Sequence, residues 1–290
     1  MSHVMIDNRS VGDQRPCFVI AEIGINHNGE LGLAKRLISI AKAAGCDAVK
    51  FQKRTPEICV PTDQRATMRE TPWGYISYMK YREKVEFGRE QYEEIDSYCR
   101  AKDILWFASC WDKPSVDFIE RFDPPCFKIA SAALTDDDLL GHTRMTGKPL
   151  IVSTGMSTLA EIDQALEVTG KDNLVLLHAV STYPARYDEL NLRAIVTLRE
   201  RYQIPIGYSG HETGIPSSVA AVALGACIIE RHITVDRAMW GSDQAASLEP
   251  NGITRLVRDI RLIERSMGTG VRKVLDRELP LIARLRRAYS

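Results

Sequence analysis

Short, almost entirely apolar runs recur along the chain and alternate with longer stretches in which apolar residues repeat at helical spacing. The apolar runs are residues 18–23, 48–52, 104–109, 126–130, 150–153, 174–179, 204–208 and 227–231. A half-exposed strand would alternate apolar and polar residues, so runs this uniform predict parallel strands that are covered on both faces.

The stretches between these runs predict helices. They are residues 31–45, 89–102, 114–121, 136–146, 158–169, 190–202, 216–225 and 252–267. In the first of them Ala34, Leu37, Ile38 and Ala41 share one helical face, and Gly45 suits a C-terminal cap. Strand and helix alternate eight times, which predicts a closed (β/α)8 TIM barrel rather than an open doubly wound sheet.

The barrel is expected to occupy residues 1–290 as a single domain, with no linker between separate units. Residues 1–15 are interpreted as an N-terminal β-hairpin extension that plugs the bottom of the barrel. The longest strand-to-helix connection runs over residues 53–88, and a long loop at that end of a barrel usually serves an active site.

Composition narrows the classes of partner. Lys plus Arg and Asp plus Glu both total 38, so the net charge is zero and bulk charge predicts no nucleic-acid or membrane partner. The seven cysteines contain no C-x-x-C pair and are expected to be free thiols in a reducing cytoplasm. Any anionic ligand must therefore be held by local groups.

Polar residues end almost every predicted strand, where barrel enzymes assemble their active sites. They are Glu22, Lys50, Gln52, Ser109, Lys128, Ser131, Ser153, His178, Ser209, His211, Glu230 and His232. A purely structural barrel does not need this set, because Gly, Asn or Asp turns would satisfy the same strand ends.

Lys50 and Lys128 interrupt apolar strands, and a lysine there either extends outward to a salt bridge or points into the barrel mouth. Two such lysines with neighbouring Gln and Ser residues favour a clamp for a phosphate or carboxylate. His211 and His232 are either two hydrogen-bonded polar residues or two ligands of a divalent ion of the Mn, Zn, Fe or Co type.

Three acidic residues have open interpretations. Glu22 and Glu230 are carboxylates in strands, which suits a general base or a sugar-hydroxyl contact, although Glu230 could instead pair with Arg231. Asp243, just beyond the eighth strand, either reaches the metal or the substrate or is a solvated surface residue.

Eight motifs occur in order along nearly the whole chain: AEIGINHNG (21–29), AVKFQ (48–52), KIAS (128–131), STGMS (153–157), LLHAVSTYP (176–184), GYSGHE (207–212), ERHIT (230–234) and GSD (241–243). Together they resemble the catalytic domain of the sialic acid (N-acetylneuraminate) synthase family. The resemblance implies a TIM-barrel transferase that condenses phosphoenolpyruvate with an N-acylmannosamine-like or related aldose. The product would be a 2-keto-3-deoxy sugar acid of the nonulosonic type, with release of phosphate.

The resemblance also implies roles for individual residues. Mn²⁺, or else Mg²⁺, Co²⁺ or Zn²⁺, would bind His211 and His232, and the enzyme would be a homodimer. Lys50, Gln52 and Ser109 would hold the carboxylate of phosphoenolpyruvate, and Lys128, Ser131, Ser153 and Ser209 its phosphate. Glu22, Tyr183 and Asp243 would face the sugar, with Glu230 near the reacting carbons.

Three departures from the family pattern concern the acceptor. Ala132 and Ala133 follow KIAS where an acidic residue is common, and Ser181 stands where some members have Asn. The sequence ends at RLRRAYS, where typical members continue into a small antifreeze-like domain that helps to recognise the acetamido group. These departures leave an aldose without that group, such as a phosphorylated hexose, as an expected acceptor.

Three other functions fit parts of the pattern. An octulosonate-phosphate-type synthase uses the same phosphorylated donor, but INHNG and GYSGHE favour the sialic branch. A class I aldolase would form a Schiff base on Lys50 or Lys128. A non-catalytic barrel that binds sugar or phosphate would have no use for His211, His232 and both lysines.

Overall fold

The computed structural model describes residues 3–287, in which eight parallel strands close into one barrel. The strands are β1 His3–Ile6, β2 Arg9–Gly12, β3 Phe18–Gly24, β4 Ala48–Lys53, β5 Met68–Thr71, β6 Gly74–Ser77, β7 Leu105–Cys110, β8 Phe127–Ile129, β9 Leu150–Ser153, β10 Leu174–Ala179, β11 Ile206–Gly210 and β12 Ile228–His232. The barrel order is β3-β4-β7-β8-β9-β10-β11-β12, with β12 pairing back to β3. The predicted (β/α)8 fold is confirmed.

Helices connect the barrel strands and form the outer layer. They are α1 Leu31–Ala44, α2 Pro56–Cys59, α3 Tyr78–Val85, α4 Arg89–Lys102, α5 Lys113–Glu120, α6 Asp137–Arg144, α7 Leu159–Thr169, α8 Ala194–Tyr202, α9 Pro216–Ala223, α10 Pro250–Met267 and α11 Leu279–Leu285. Ala34, Leu37, Ile38 and Ala41 of α1 are buried as predicted, and Gly45 caps the helix with a φ of 84°. No helix in the described part of the chain is long and apolar enough to cross a membrane.

An N-terminal hairpin closes the bottom of the barrel, as predicted. Strands β1 and β2 pair antiparallel, and Val4, Ile6 and Val11 are buried. These side chains share one apolar cluster with residues at the bottom of the barrel interior, among them Phe18 and Ile20 of β3. The apolar plug keeps water from entering the barrel from below.

The long connection after β4 has its own secondary structure, which the sequence patterns did not predict. It contains α2, the β5–β6 hairpin and α3. Tyr81 and Val85 of α3 pack against Ile25 from the loop after β3, and Tyr81 contacts Trp240 edge-on from the loop after β12. The connection is therefore fixed to two other loops at the C-terminal end of the barrel.

Candidate active site

One cavity of about 180 Å³ lies at the C-terminal mouth of the barrel. Every barrel strand contributes to it, directly or through the loop that follows. Its lining residues are Glu22, Lys50, Gln52, Ser109, Trp111, Lys128, Ala130, Ser131, Ala132, Ser153, Met156, Ser181, Tyr183, Ser209, His211, Glu230 and His232. All of the predicted site residues except Asp243 are in this set.

Lys50 lies between two carboxylates. Its Nζ is 3.0 Å from Oε2 of Glu22 and 3.6 Å from Oε2 of Glu230. Glu22 and Lys50 are register partners on adjacent parallel strands, so the backbone pairing itself places them side by side. Apart from Lys50, neither Oε2 atom has a hydrogen-bond donor within residues 3–287. Each of these oxygens can therefore accept one more hydrogen bond, from a ligand.

The positive charge of Lys128 has less compensation from carboxylates than that of Lys50. Its Nζ donates to Oγ of Ser153 at 2.7 Å and to the carbonyl of Ile129 at 3.1 Å, whereas the nearest carboxylate oxygen, Oε1 of Glu230, is 4.0 Å away. Burial lowers the pKa of Lys128 to about 8, with Glu230 opposing and Lys50 assisting the shift. Lys50 differs because Glu22 and Glu230 outweigh its burial, and its pKa is raised.

The pKa values of the two buried carboxyl groups are shifted in opposite directions. Burial raises the pKa of Glu22, although Lys50 and His232 act against the shift. Burial also acts to raise the pKa of Glu230, but Lys128, Lys50 and a hydrogen bond from Ser209 at 3.0 Å lower it to about 2. Glu230 is thus a fixed anion, while Glu22 is the carboxyl group better suited to carry a proton.

The predicted metal histidines lie next to each other, with ring centroids 5.8 Å apart. Nδ1 of His211 is 2.6 Å from the carbonyl of Val180, so Nδ1 carries the hydrogen and Nε2 presents its lone pair. Nε2 contacts the hydroxyl of Tyr183 at 3.0 Å. Burial, assisted by His232, lowers the pKa of His211 to about 3, so the ring is neutral, which is the metal-binding form.

The donor set suits a divalent ion that keeps open coordination positions. Nδ1 of His232 has no hydrogen-bond partner among residues 3–287, and Oδ2 of Asp243 is 3.9 Å from it. No group of three His, Cys, Asp or Glu side chains in the described chain forms a complete ligand set. Two ammonium and two carboxylate groups cancel in the cavity, so a bound cation would supply the excess positive charge that a phosphorylated ligand needs.

The remaining predicted residues take different positions around this cluster. Nε2 of Gln52 donates to Glu22 at 3.1 Å, and Oγ of Ser109 donates to the carbonyl of Phe51 at 3.4 Å. Oγ of Ser131 accepts from the backbone N–H of Gly155 at 3.0 Å. Asp243 is not among the residues that line the cavity, although its Oδ2 is 3.9 Å from Nδ1 of His232.

Close packing at the floor depends on one glycine. Gly24 has a φ of 55°, and a Cβ there would come within 3.2 Å of Gln52 and Glu22 and 3.3 Å of His232. A larger residue would therefore strain the backbone and push these side chains apart.

Sequence reasoning missed Trp111 and Met156, which line the cavity. Trp111 directly follows Cys110, the last residue of β7, so a stricter search of strand ends would have found it. His178, in contrast, ends a predicted strand but lies outside the cavity, where its Nε2 contacts the carbonyl of Leu190 at 2.7 Å.

Comparisons with known proteins agree with this architecture. The sequence profile of the NeuB family matches residues 37–272. The chain is 40% identical to human N-acetylneuraminate-9-phosphate synthase over 93% of its own length and 77% of the relative. It is 38% identical to N,N'-diacetyllegionaminic acid synthase of Campylobacter jejuni, over 90% of this chain and 80% of that protein. The solved N-acetylneuraminic acid synthetase of Leptospira borgpetersenii superimposes with a TM-score of 0.87 at 33% identity, covering 99% of this chain and 98% of that one.

Proposed function

The chain belongs to the NeuB family, and on that premise we propose that its cavity joins phosphoenolpyruvate to the aldehyde carbon of an aldose. Enzymes of this family are phosphoenolpyruvate-dependent sugar acid synthases. The observation that carries the proposal is the convergence of two lysines, two carboxylates and two histidines in one cavity. The product would be a 2-keto-3-deoxy sugar acid, and inorganic phosphate would leave.

The lysines and hydroxyl groups hold phosphoenolpyruvate in this proposal. Lys50, Gln52 and Ser109 bind its carboxylate, and Lys128 with Ser131, Ser153 and Ser209 binds its phosphate. The hydrogen bond that Lys128 donates to Oγ of Ser153 supports this division, because it holds the ammonium group and the serine hydroxyl side by side and leaves the hydroxyl hydrogen for a ligand. Holding the donor in one orientation makes its reaction with the acceptor effectively unimolecular.

His211 and His232 hold a divalent cation. NeuB-family synthases are metal-dependent, and we propose Mn²⁺ as the ion used here. When bound, it would polarise the aldehyde carbonyl of the acceptor and make its carbon electrophilic. Tyr183, whose hydroxyl reaches His211, and Asp243, beside His232, position the acceptor around that carbonyl.

The bond changes balance with water as the only further reactant. C3 of phosphoenolpyruvate bonds to the aldehyde carbon, and the aldehyde oxygen takes a proton, for which Glu22 is the donor. The positive charge that develops at C2 faces the fixed anion of Glu230. Water then adds to C2 and gives up one proton, which restores the carboxyl group of Glu22. Cleavage of the C2–O bond releases phosphate, which takes the remaining hydroxyl proton, and leaves the keto group at C2.

The test is phosphate release by the purified protein with phosphoenolpyruvate and a panel of aldoses, with and without added Mn²⁺. We expect release that requires both an aldose and the metal and stops with a chelator. Release without any aldose, or no release with any, would contradict the proposal. Borohydride treatment in the presence of pyruvate should give no covalent adduct on the protein. An adduct on Lys50 or Lys128 would indicate the Schiff base of a class I aldolase.

We also propose that the protein works as a cytoplasmic homodimer. All seven cysteines are free and six of them are buried, which suits a reducing compartment. Light scattering on the purified protein would check the dimer, for which we expect twice the 32.5 kDa chain mass.

A further inference from the structure

A second group of cations lies at the rim of the cavity, where no role has been assigned. Arg54 directly follows β4, two residues beyond Gln52; it does not itself line the cavity, but its guanidinium group stacks on Trp111, which does. Two residues along a strand are about 7 Å, so Arg54 stands roughly that far above Gln52, toward the outside of the mouth. An extended hexose has a similar length from its aldehyde carbon to its far end.

Arg54 is buried, with 9% of its surface exposed, yet its Nη1 has no hydrogen-bond acceptor within residues 3–287. The guanidinium stacks on the ring of Trp111, with 3.8 Å from Cζ to the ring centroid. Nε1 of Trp111 is also buried without an acceptor among these residues. Nη1 of Arg54 and Nε1 of Trp111 are therefore neighbouring hydrogen-bond donors without acceptors. Burying such donors costs free energy unless a ligand supplies the acceptors.

Nearby carboxylates do not compensate Arg54. Oε2 of Glu86 accepts from the backbone N–H of Arg54 at 3.1 Å, and Lys53 and Arg82 approach the same carboxylate to 3.7 Å and 3.6 Å. Two cations thus contact Glu86, and the guanidinium group of Arg54 has no carboxylate oxygen within 4.0 Å among residues 3–287. Burial lowers the pKa of Arg54 to about 10, and Arg82 adds to the shift, while Glu86 and Asp243 oppose it.

We propose that Arg54 and Trp111 form a subsite for the phosphoryl group of a phosphorylated acceptor sugar. The inference rests on the proposed function, because it takes the acceptor aldehyde to lie at the metal histidines. A phosphomonoester carries acceptor oxygens and two negative charges, which match two unpaired donors and a guanidinium group without a close carboxylate.

Sequence identity does not decide between the two kinds of acceptor. The relative whose printed name carries a phosphate is 40% identical, and the legionaminic acid synthase is 38% identical. The subsite at Arg54 is therefore an independent criterion for the acceptor of this chain.

The experiment compares N-acetylmannosamine with its 6-phosphate, using phosphoenolpyruvate and Mn²⁺, in wild type and in variants. We expect wild type to prefer the phosphorylated sugar in kcat/KM. Arg54→Gln should reduce this preference about 30-fold, mainly through KM, which corresponds to about 2 kcal/mol at 1.4 kcal/mol per tenfold change. Arg54→Lys should retain part of it, and Trp111→Phe, which keeps the ring but removes the N–H, should reduce it about fivefold.

Arg258→Gln on the exposed face of α10 is the matched control, and it should leave the preference unchanged. Equal losses for both sugars in Arg54→Gln would assign Arg54 a structural role and overturn the proposal. If Arg54→Gln instead raised the KM for phosphoenolpyruvate, Arg54 would bind the phosphate of the donor, and the proposed acceptor subsite would also be overturned.

Direct binding separates this proposal from the proposed function. Calorimetric titration with the sugar phosphate needs no turnover, so it remains informative even if no sugar releases phosphate. We expect wild type to bind the 6-phosphate more tightly than the free sugar, and Arg54→Gln to lose that difference. Equal affinity of wild type for the two sugars would refute the subsite, whatever the activity assay gives.

Discussion

Two buried charged clusters flank the same end of the barrel, and they differ in how completely their charges are paired. Outside the barrel, Arg231 and Glu212 are both fully buried and 3.1 Å apart. Arg231 also donates to Oγ of Ser218 and the carbonyl of Gly214, and Glu212 also accepts from the hydroxyl of Tyr208. Inside the barrel, Oε2 of Glu22 and of Glu230 faces only Lys50, and the ammonium group of Lys128 has no carboxylate oxygen closer than 4.0 Å.

The difference follows from adjacent positions in one strand. Glu230 and His232 of β12 point into the cavity, while Arg231 between them points outward to the layer that contains α9. Arg231 and Glu212 are next in sequence to His232 and His211, so their ion pair holds together the two strand ends that carry the proposed metal ligands. Nε of Arg231 has no acceptor among residues 3–287, but the guanidinium charge faces a carboxylate at 3.1 Å, whereas Lys128 has no carboxylate oxygen closer than 4.0 Å. A buried charge with a close counter-charge indicates a structural role, and a buried charge without one indicates a place for a ligand.

The largest expected effect comes from breaking the ion pair between Arg231 and Glu212 in the outer cluster. Arg231→Met leaves the carboxylate of Glu212 buried without its cation, and we expect a loss of about 4 kcal/mol in the free energy of unfolding. Urea denaturation followed by circular dichroism measures it. The double variant Arg231→Met with Glu212→Gln should recover part of the loss, because no lone buried charge remains. An unchanged unfolding midpoint in the single variant would show that the pair is not structural.

Removing one metal histidine tests the inner cluster through activity. His232→Ala should lower kcat for phosphate release about 10²–10³-fold, because the ion loses one of its two protein ligands. Metal content after dialysis, measured by mass spectrometry, should fall in parallel. His142→Ala is the matched control, since this half-buried histidine of α6 pairs only with Asp117, far from the cavity. A fully active His232→Ala would remove the metal site from the proposal.

Lys128 tests the difference between the two clusters, because its buried charge should strengthen the binding of phosphoenolpyruvate while lowering the free energy of unfolding. Lys128→Met should lower kcat/KM for phosphoenolpyruvate about 10²-fold, since a buried cation that holds the phosphate is lost. Its urea midpoint should equal or exceed that of wild type, in contrast to Arg231→Met. Lys113→Met, on an exposed ion pair with Asp138, controls for loss of a lysine. A destabilised Lys128→Met would place this lysine with the structural charges.

The pH dependence gives the smallest effect. The pKa of Lys128 in the free protein is lowered to about 8, so its ammonium form is populated below pH 8 and is lost above it. We expect kcat/KM for phosphoenolpyruvate to fall about tenfold per pH unit above that value. In Lys128→Arg the fall should move to higher pH, because a guanidinium keeps its charge. An unshifted profile in Lys128→Arg would assign the pH dependence to another group.

Periodicity alone was enough to predict the barrel, because each of its strands is buried on both faces and therefore reads as an uninterrupted apolar run. It also predicted Lys50, Lys128, His211 and His232 as site residues, because strand ends of a parallel barrel meet at one rim. One strand boundary was predicted wrongly. β11 begins at Ile206 rather than at residue 204, because Pro205 has no N–H for strand pairing.

What the sequence determined by itself was the order of the elements and the kinds of polar groups at the mouth, since both are local patterns. Only the tertiary structure decided which charges are paired, because pairing depends on distances between residues far apart in the chain. It separated Arg231 from Glu230, kept His178 out of the cavity, and brought Trp111 against Arg54. Burial, and with it the opposite pKa shifts of Glu22 and Glu230, exists only after the strands have closed into a barrel.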